Sequence, residues 1–165
     1  LIQFIRNLGG GEIELGYASF LQAILELPVM ALIVFVLRKV NAKAVLMFSV
    51  VAFLVKVVLM YTATGLPGMY LSQSIQLFAY SVFIPTSAYY ADKIMKGSDK
   101  VKGQAYINSA ITLGGVFSNI VCGPMLDRHG VPATLMVGIA VCLAGVIISA
   151  ISMMGKERGV SNEAV

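Results

Sequence analysis

Five apolar runs, each long enough to cross a bilayer and nearly free of charge, restrict the folds open to this chain more than any other feature. They extend roughly from Gly16 to Leu37, Ala44 to Thr64, Pro67 to Ala91, Ala105 to Met125 and Pro132 to Met154. About 20 apolar residues in a helix cover a hydrocarbon core of about 30 Å. A chain in hydrocarbon must also satisfy its backbone hydrogen bonds within each span. The expected fold class is therefore an all-α integral membrane protein. Core helices of a soluble protein would need polar outer faces, which these runs lack. Composition agrees, since 58% hydrophobic residues, 12% charged residues and a mean hydropathy of +0.87 lie outside the range of soluble domains.

The connecting stretches "RKVNAK", "TGLPG", "DKIMKGSDKVKG" and "DRHGVP" hold the turn-forming and charged residues. None is long enough to separate two domains, so residues 1–165 are read as one transmembrane unit. The opening "LIQFI" has the character of the end of a preceding helix. The chain starts on Leu1 within an apolar phrase, with no signal-peptide pattern, and is expected to belong to something longer.

The net charge of +4 is segregated into the loops. Arg38, Lys39 and Lys43 follow the first span, Lys93, Lys96, Lys100 and Lys102 follow the third, and Lys156 and Arg158 lie in the tail. The opposite side has Arg6 and Arg128 near span ends. By the positive-inside rule the first group and the C-terminus are cytoplasmic, with the chain in the inner (plasma) membrane. Such a distribution orients a membrane protein and gives no nucleic-acid face.

Polar side chains recur at helical spacing on three spans. The first carries Ser19, Gln22 and Glu26; the third carries Gln73, Gln76, Tyr80 and Ser87; the fourth carries Gln104, Asn108, Thr112, Gly115 and Asn119. Such stripes are expected on helices that face a water-accessible cavity, while the second and fifth spans, poorer in polar residues, are expected outside them. Small residues at Ala110, Gly114 and Ser118, and at Gly138 and Cys142, suit close helix packing.

Two ionisable groups interrupt the apolar runs. Glu26 lies 12 positions before Arg38 and Lys56 lies 13 after Lys43, which at 1.5 Å per residue puts both about 18 to 20 Å from the same boundary. An unpaired charge there costs about 2.5 to 3.5 kcal/mol on insertion scales, so the two are expected to pair. Burial and an opposite charge would pull the protonation of Glu26 in opposite directions, as a coupling switch requires. Pro28 leaves the Ile24 carbonyl without its helical donor, and Pro85 does the same in the third span. Freed carbonyls of this kind are tolerated beside a cavity.

The stretches "LGYASFLQAILELPVM", "VLRKVNAKAVL", "LVKVVLM", "LFAYSVFIP" and "GGVFSNIVCGPMLDRHG" together resemble the C-terminal half of a major facilitator superfamily transporter, from the end of its seventh helix through its twelfth. Within that superfamily the chain is most similar to oligosaccharide–proton symporters of the lactose permease type. The resemblance implies a six-helix half with five complete spans, in which the eighth, tenth and eleventh helices border the central cavity. It places Lys56 where lactose permease has a functional arginine. Gln76 and Ala79 stand where that permease uses a histidine and a glutamate in proton coupling, and Ala23 stands at its sugar-binding glutamate, with Glu26 one turn later. Neither Gln76 nor Ala79 can titrate, so coupling would pass to Glu26 or to the N-terminal half.

The expected function is secondary active transport, proton-coupled symport of a small polar solute such as a sugar or nucleoside, by alternating access between two halves. Gln22, Gln73, Gln76, Asn108 and Asn119 would bond the solute, Tyr80 would supply a stacking face, and Glu26 with Lys56 the charge switch. The partners expected are the lipid bilayer, the solute, protons and an N-terminal half, without which one half should not transport. The alternative is a sensor or assembly subunit that keeps the transporter fold. An enzyme is not expected, nor a cofactor or metal. The sole histidine, His129, lies in a loop, Cys122 and Cys142 fall within apolar runs, and no phosphate-binding glycine loop is present.

Overall fold

The computed structural model describes residues 2–95, 97 and 99–160, with side chains through Met153. Lys96, and the side chains of Lys156 and Arg158, to which the sequence reading gives orientation roles, lie outside the described residues. Those described form helices α1 (Ile2–Asn7), α2 (Glu12–Leu37), α3 (Ala42–Thr62), α4 (Leu66–Ile94) and α5 (Asp99–Val160), with no strand among them. Three stretches are long and apolar enough to cross a membrane: α2, α3 and the part of α5 from Asp99 to Met153. The fold class is that of an all-α membrane protein.

The helices overrun the apolar runs because a run ends with the hydrocarbon, whereas a helix ends at a cap. Glu14 Oε2 accepts from the Gly11 N–H at 2.7 Å at the start of α2, and Asn41 Oδ1 accepts from the Lys43 N–H at 3.1 Å at the start of α3. Each satisfies one of the donors that a helix N-terminus leaves without an intrahelical partner. Gly65 precedes α4, whose second residue, Pro67, has no N–H to leave unpaired.

Where the sequence reading expects the loop "DRHGVP" between the fourth and fifth spans, the helical path is broken at Gly130 alone, with φ 76° and ψ −175°. That backbone conformation is left-handed in φ and suits a residue without Cβ. Pro132 then opens the next helical segment at little cost. Thr134 Oγ1 donates to the Gly130 carbonyl at 2.9 Å, which closes the break from the far side. Thus α5 consists of two helical segments that meet at one glycine.

The centre of the molecule is α4. It supplies the buried residues Met69, Ser72, Gln73, Ala79, Val82 and Thr86, and α2 and α3 each pack against it more extensively than against one another. Edge-to-face pairs Phe48–Phe78 and Phe53–Phe83, with ring centroids 6.1 and 6.0 Å apart, join α3 to α4. One apolar cluster joins Ile33 and Leu37 of α2 to Ala42 and Val45 of α3 and Val82 of α4, and a second gathers Phe4, Ile5, Ala18 and Met69 at the other end. Serines in α4 return their hydroxyls to their own helix, Ser72 to the Met69 carbonyl at 3.0 Å and Ser87 to that of Ile84 at 2.9 Å. The hydroxyls of Ser81 and Thr86 are buried without a partner among the described residues. Helix α2 runs unbroken through Pro28, and α4 through Pro85.

The second segment of α5 packs on α3 through Gly138, where a Cβ would lie 3.4 Å from Val57 Cγ1. Gly138 is thus a close-contact position. The other small-residue stripe differs from its expected role. Ala110, Gly114 and Ser118 are exposed, and a Cβ on Gly114 would meet nothing within 4 Å. Among the described residues Gly114 has no neighbouring helix to approach, while Ala110 borders a cavity beside α3 and α4.

Candidate functional site

The charged residues of the spans lie on two different helices flanking α4. Glu26 sits half-buried on α2, and its Oε1 accepts from Gln22 Nε2 of the preceding turn at 2.9 Å. Lys56 sits half-buried on α3, and its Nζ donates to Gln76 Oε1 on α4. Each charge has an amide partner.

The ion pair expected between Glu26 and Lys56 is absent. Among the described residues the ion pairs within 4.0 Å are Arg6–Glu12, Lys100–Asp92 and Lys102–Asp99, all with exposed side chains. The physical reason is the position of α4. Consecutive helices α2 and α3 both lean on α4, so the nearest polar group to Lys56 comes from α4 and not from α2. Cys142 lies half-buried on the second segment of α5, which packs on α3. Its position one turn after Gly138 hinted at a packed face.

The remaining candidates divide by exposure. Gln73 is buried at 4% exposure in α4, enclosed by protein, whereas Tyr80 is 38% exposed on the same helix. Gln104 and Asn108 line a small cavity of about 60 Å³ together with Ser87 of α4. Asn108 also accepts, through its carbonyl, from Thr112 Oγ1 at 2.9 Å. Asn119 is exposed on α5. The structure thus joins Gln22 with Glu26 and Lys56 with Gln76, sets Asn108 beside α4 at the small cavity, and leaves Asn119 exposed on α5.

This arrangement holds two opposite charges on either side of a central helix, with a neutral amide on each. An amide can donate to a carboxylate and accept from an ammonium, and can equally bond the hydroxyls of a solute. Among the described residues no group of three or more His, Cys, Asp or Glu side chains could hold a metal ion.

The sequence matches the model of the Major Facilitator Superfamily over residues 1–164. The chain belongs to this superfamily. A protein of Deinococcus radiodurans named as a sugar efflux transporter is 26% identical over 138 residues, which cover 84% of this chain and 35% of that relative. The superfamily chain described here therefore spans about a third of the length of the curated relative it matches. No solved structure matches it. Superfamily membership and the name of this relative point to a multi-pass membrane protein of a transporter family rather than to an enzyme.

Proposed function

We propose that this chain is the C-terminal half of a secondary active transporter of the lactose permease type, moving a sugar or similar small polar solute by alternating access. Its cytoplasmic side carries the loops with Arg38, Lys39, Lys43, Lys93, Lys100 and Lys102 in the inner (plasma) membrane, and an N-terminal half completes the cavity. The observation that carries this reading is the pair of amide-held charges. Glu26 is bonded by Gln22 and Lys56 bonds Gln76, and the two charges do not pair with one another. A solute hydroxyl entering beside either amide can take its hydrogen bond and alter the field on the carboxylate. Protonation of Glu26 would then accompany binding, which is the coupling a symporter needs. The Deinococcus radiodurans relative, named for sugar efflux, supports a sugar as the solute class.

The test records external pH in weakly buffered cells expressing the complete transporter as sugars and nucleosides are added, with Glu26→Gln in parallel. Alkalinisation with one solute class, lost in the variant at equal abundance, is the expected result. Acidification on adding a sugar would replace symport by exchange. If Glu26→Gln transports and moves protons as the parent does, Glu26 is structural and the coupling assignment fails. A sensor or assembly role predicts altered abundance or docking in this variant with no solute flux in either protein.

A further inference from the structure

At the end of the bundle where α3 begins, two cavities meet. The outer one, about 400 Å³, is lined by Lys43 of α3, Tyr90 and Ile94 of α4, and Ile148, Ser149 and Ser152 of α5. The inner one, about 430 Å³, is lined among others by Leu46, Val50, Phe83, Ile107 and Ile111. Both share Tyr90, Ser149 and Met153, so they form one cleft. Its mouth holds an ammonium and three hydroxyls, and its depth is hydrocarbon apart from Ser87. From Lys43 to Val50 on α3, and from Tyr90 to Phe83 on α4, the walls run inward by about 10 Å at 1.5 Å per residue.

The charge of the mouth is one-sided. Among the described residues no carboxylate lines either cavity and Lys43 takes part in no ion pair. Lys43 stands in the first turn of α3, where the helix dipole adds to its positive charge. In a multi-pass membrane protein the end of a span lies at the depth of the lipid headgroups. An anion that also carries a hydrocarbon chain matches both compartments. A soluble anion would use the mouth and leave the apolar depth without a partner.

We propose that this cleft binds one anionic phospholipid of the surrounding bilayer, its phosphate against Lys43 and the hydroxyls of Ser149, Ser152 and Tyr90, and part of an acyl chain along Leu46, Val50, Phe83 and Ile111. The site lies between α3, α4 and both segments of α5, apart from Glu26 and from the bond between Lys56 and Gln76. The proposal requires membrane insertion and does not depend on the transported solute.

The protein in detergent is offered equimolar phosphatidylglycerol and phosphatidylcholine, and retained lipid is counted by native mass spectrometry. Retention of one phosphatidylglycerol in preference is expected, falling about fivefold in Lys43→Gln, since one basic residue near an anionic lipid is worth about that factor. Lys43→Arg and Lys39→Gln keep the preference, because the first restores the charge and the second removes a cation that lines neither cavity. Ile111→Trp fills the deep compartment without touching Lys43 and lowers retention as well. Equal retention of the two lipids overturns the proposal, as does an equal loss in Lys39→Gln and Lys43→Gln, which would mark a diffuse basic surface. Displacement of the lipid by glycerol phosphate at equal concentration, or unchanged retention in Ile111→Trp, would show that no acyl chain is held.

Discussion

Lys56 on α3 donates its hydrogen bond to Gln76 on α4, across the helix interface that the edge-to-face pairs Phe48–Phe78 and Phe53–Phe83 hold together. The amide neutralises no charge, so Lys56 keeps a hydrogen-bond partner without forming an ion pair with Glu26. A direct ion pair would lock α2 to α3. The observed arrangement ties α3 to α4 and leaves Glu26 dependent on Gln22 alone among the described residues.

Removing the amide should therefore destabilise the fold through the group left behind. Gln76→Leu strands the half-buried Lys56 ammonium, and a loss of about 1 to 3 kcal/mol is expected for an unsatisfied buried polar group. Lys56→Met in the same chain should recover most of that loss, because both partners are then apolar. Thermal unfolding in detergent of the two single variants and the double variant measures the coupling. Additive effects would show that the bond between Lys56 and Gln76 contributes nothing.

The turn between α1 and α2 is a packing constraint. A Cβ on Gly10 would lie 2.7 Å from Cγ2 of Ile5, a fully buried side chain, and 3.1 Å from Cδ2 of Leu66. Gly10→Ala should cost about 1 to 3 kcal/mol, the usual penalty for overpacking. Ile5→Ala with Gly10→Ala, which removes Cγ2, should cost less than the sum of the two single changes if the clash with Cγ2 is the cause. The readout is the midpoint of thermal unfolding of each variant.

The broken path at Gly130 predicts a different kind of loss. With φ at 76° and ψ at −175°, a backbone region open essentially to glycine alone, an alanine there would be strained at a cost of about 1 to 3 kcal/mol. Little else would change, since the nearest atom to such a Cβ is Cδ of Pro132 at 3.8 Å. Gly130→Asn should be no milder than Gly130→Ala, because asparagine tolerates the left-handed helical region but not a ψ of −175°. Equal stability of Gly130→Ala and the parent would mean that the chain can relax to a straight helix there.

Thr86 offers a substitution expected to help. Its hydroxyl is buried in α4 with no partner among the described residues, and Thr86→Val keeps the shape while removing the polar atom. The variant should be as stable as the parent or more stable by about 1 kcal/mol. A clear loss of stability would show that the hydroxyl has a hydrogen-bond partner in the folded protein.

The membrane class and the helical class of this chain were legible in the sequence because both depend on local properties. Hydrophobic length sets whether a segment can span, and backbone satisfaction in hydrocarbon then requires helix. The ends of helices were less legible, since α2 starts at Glu12 and α4 reaches Ile94, beyond the apolar runs, where capping and turns decide. The loop expected near Asp127 contracted to a single residue because Gly130 alone can supply the change of direction.

Equal depth along the chain said that Glu26 and Lys56 were level, and the cost of buried charge said that each needed a partner. Which partner each found was decided by tertiary structure. Depth follows from counting residues at a fixed rise, but contact depends on which helix stands next to which and on how each is rotated about its axis. With α4 set between α2 and α3, Lys56 met Gln76, Asn108 came to border a small cavity beside α4, and Asn119 stayed exposed on α5. The residues and their helices were written in the sequence; their neighbours were set by the packing of helices distant along it.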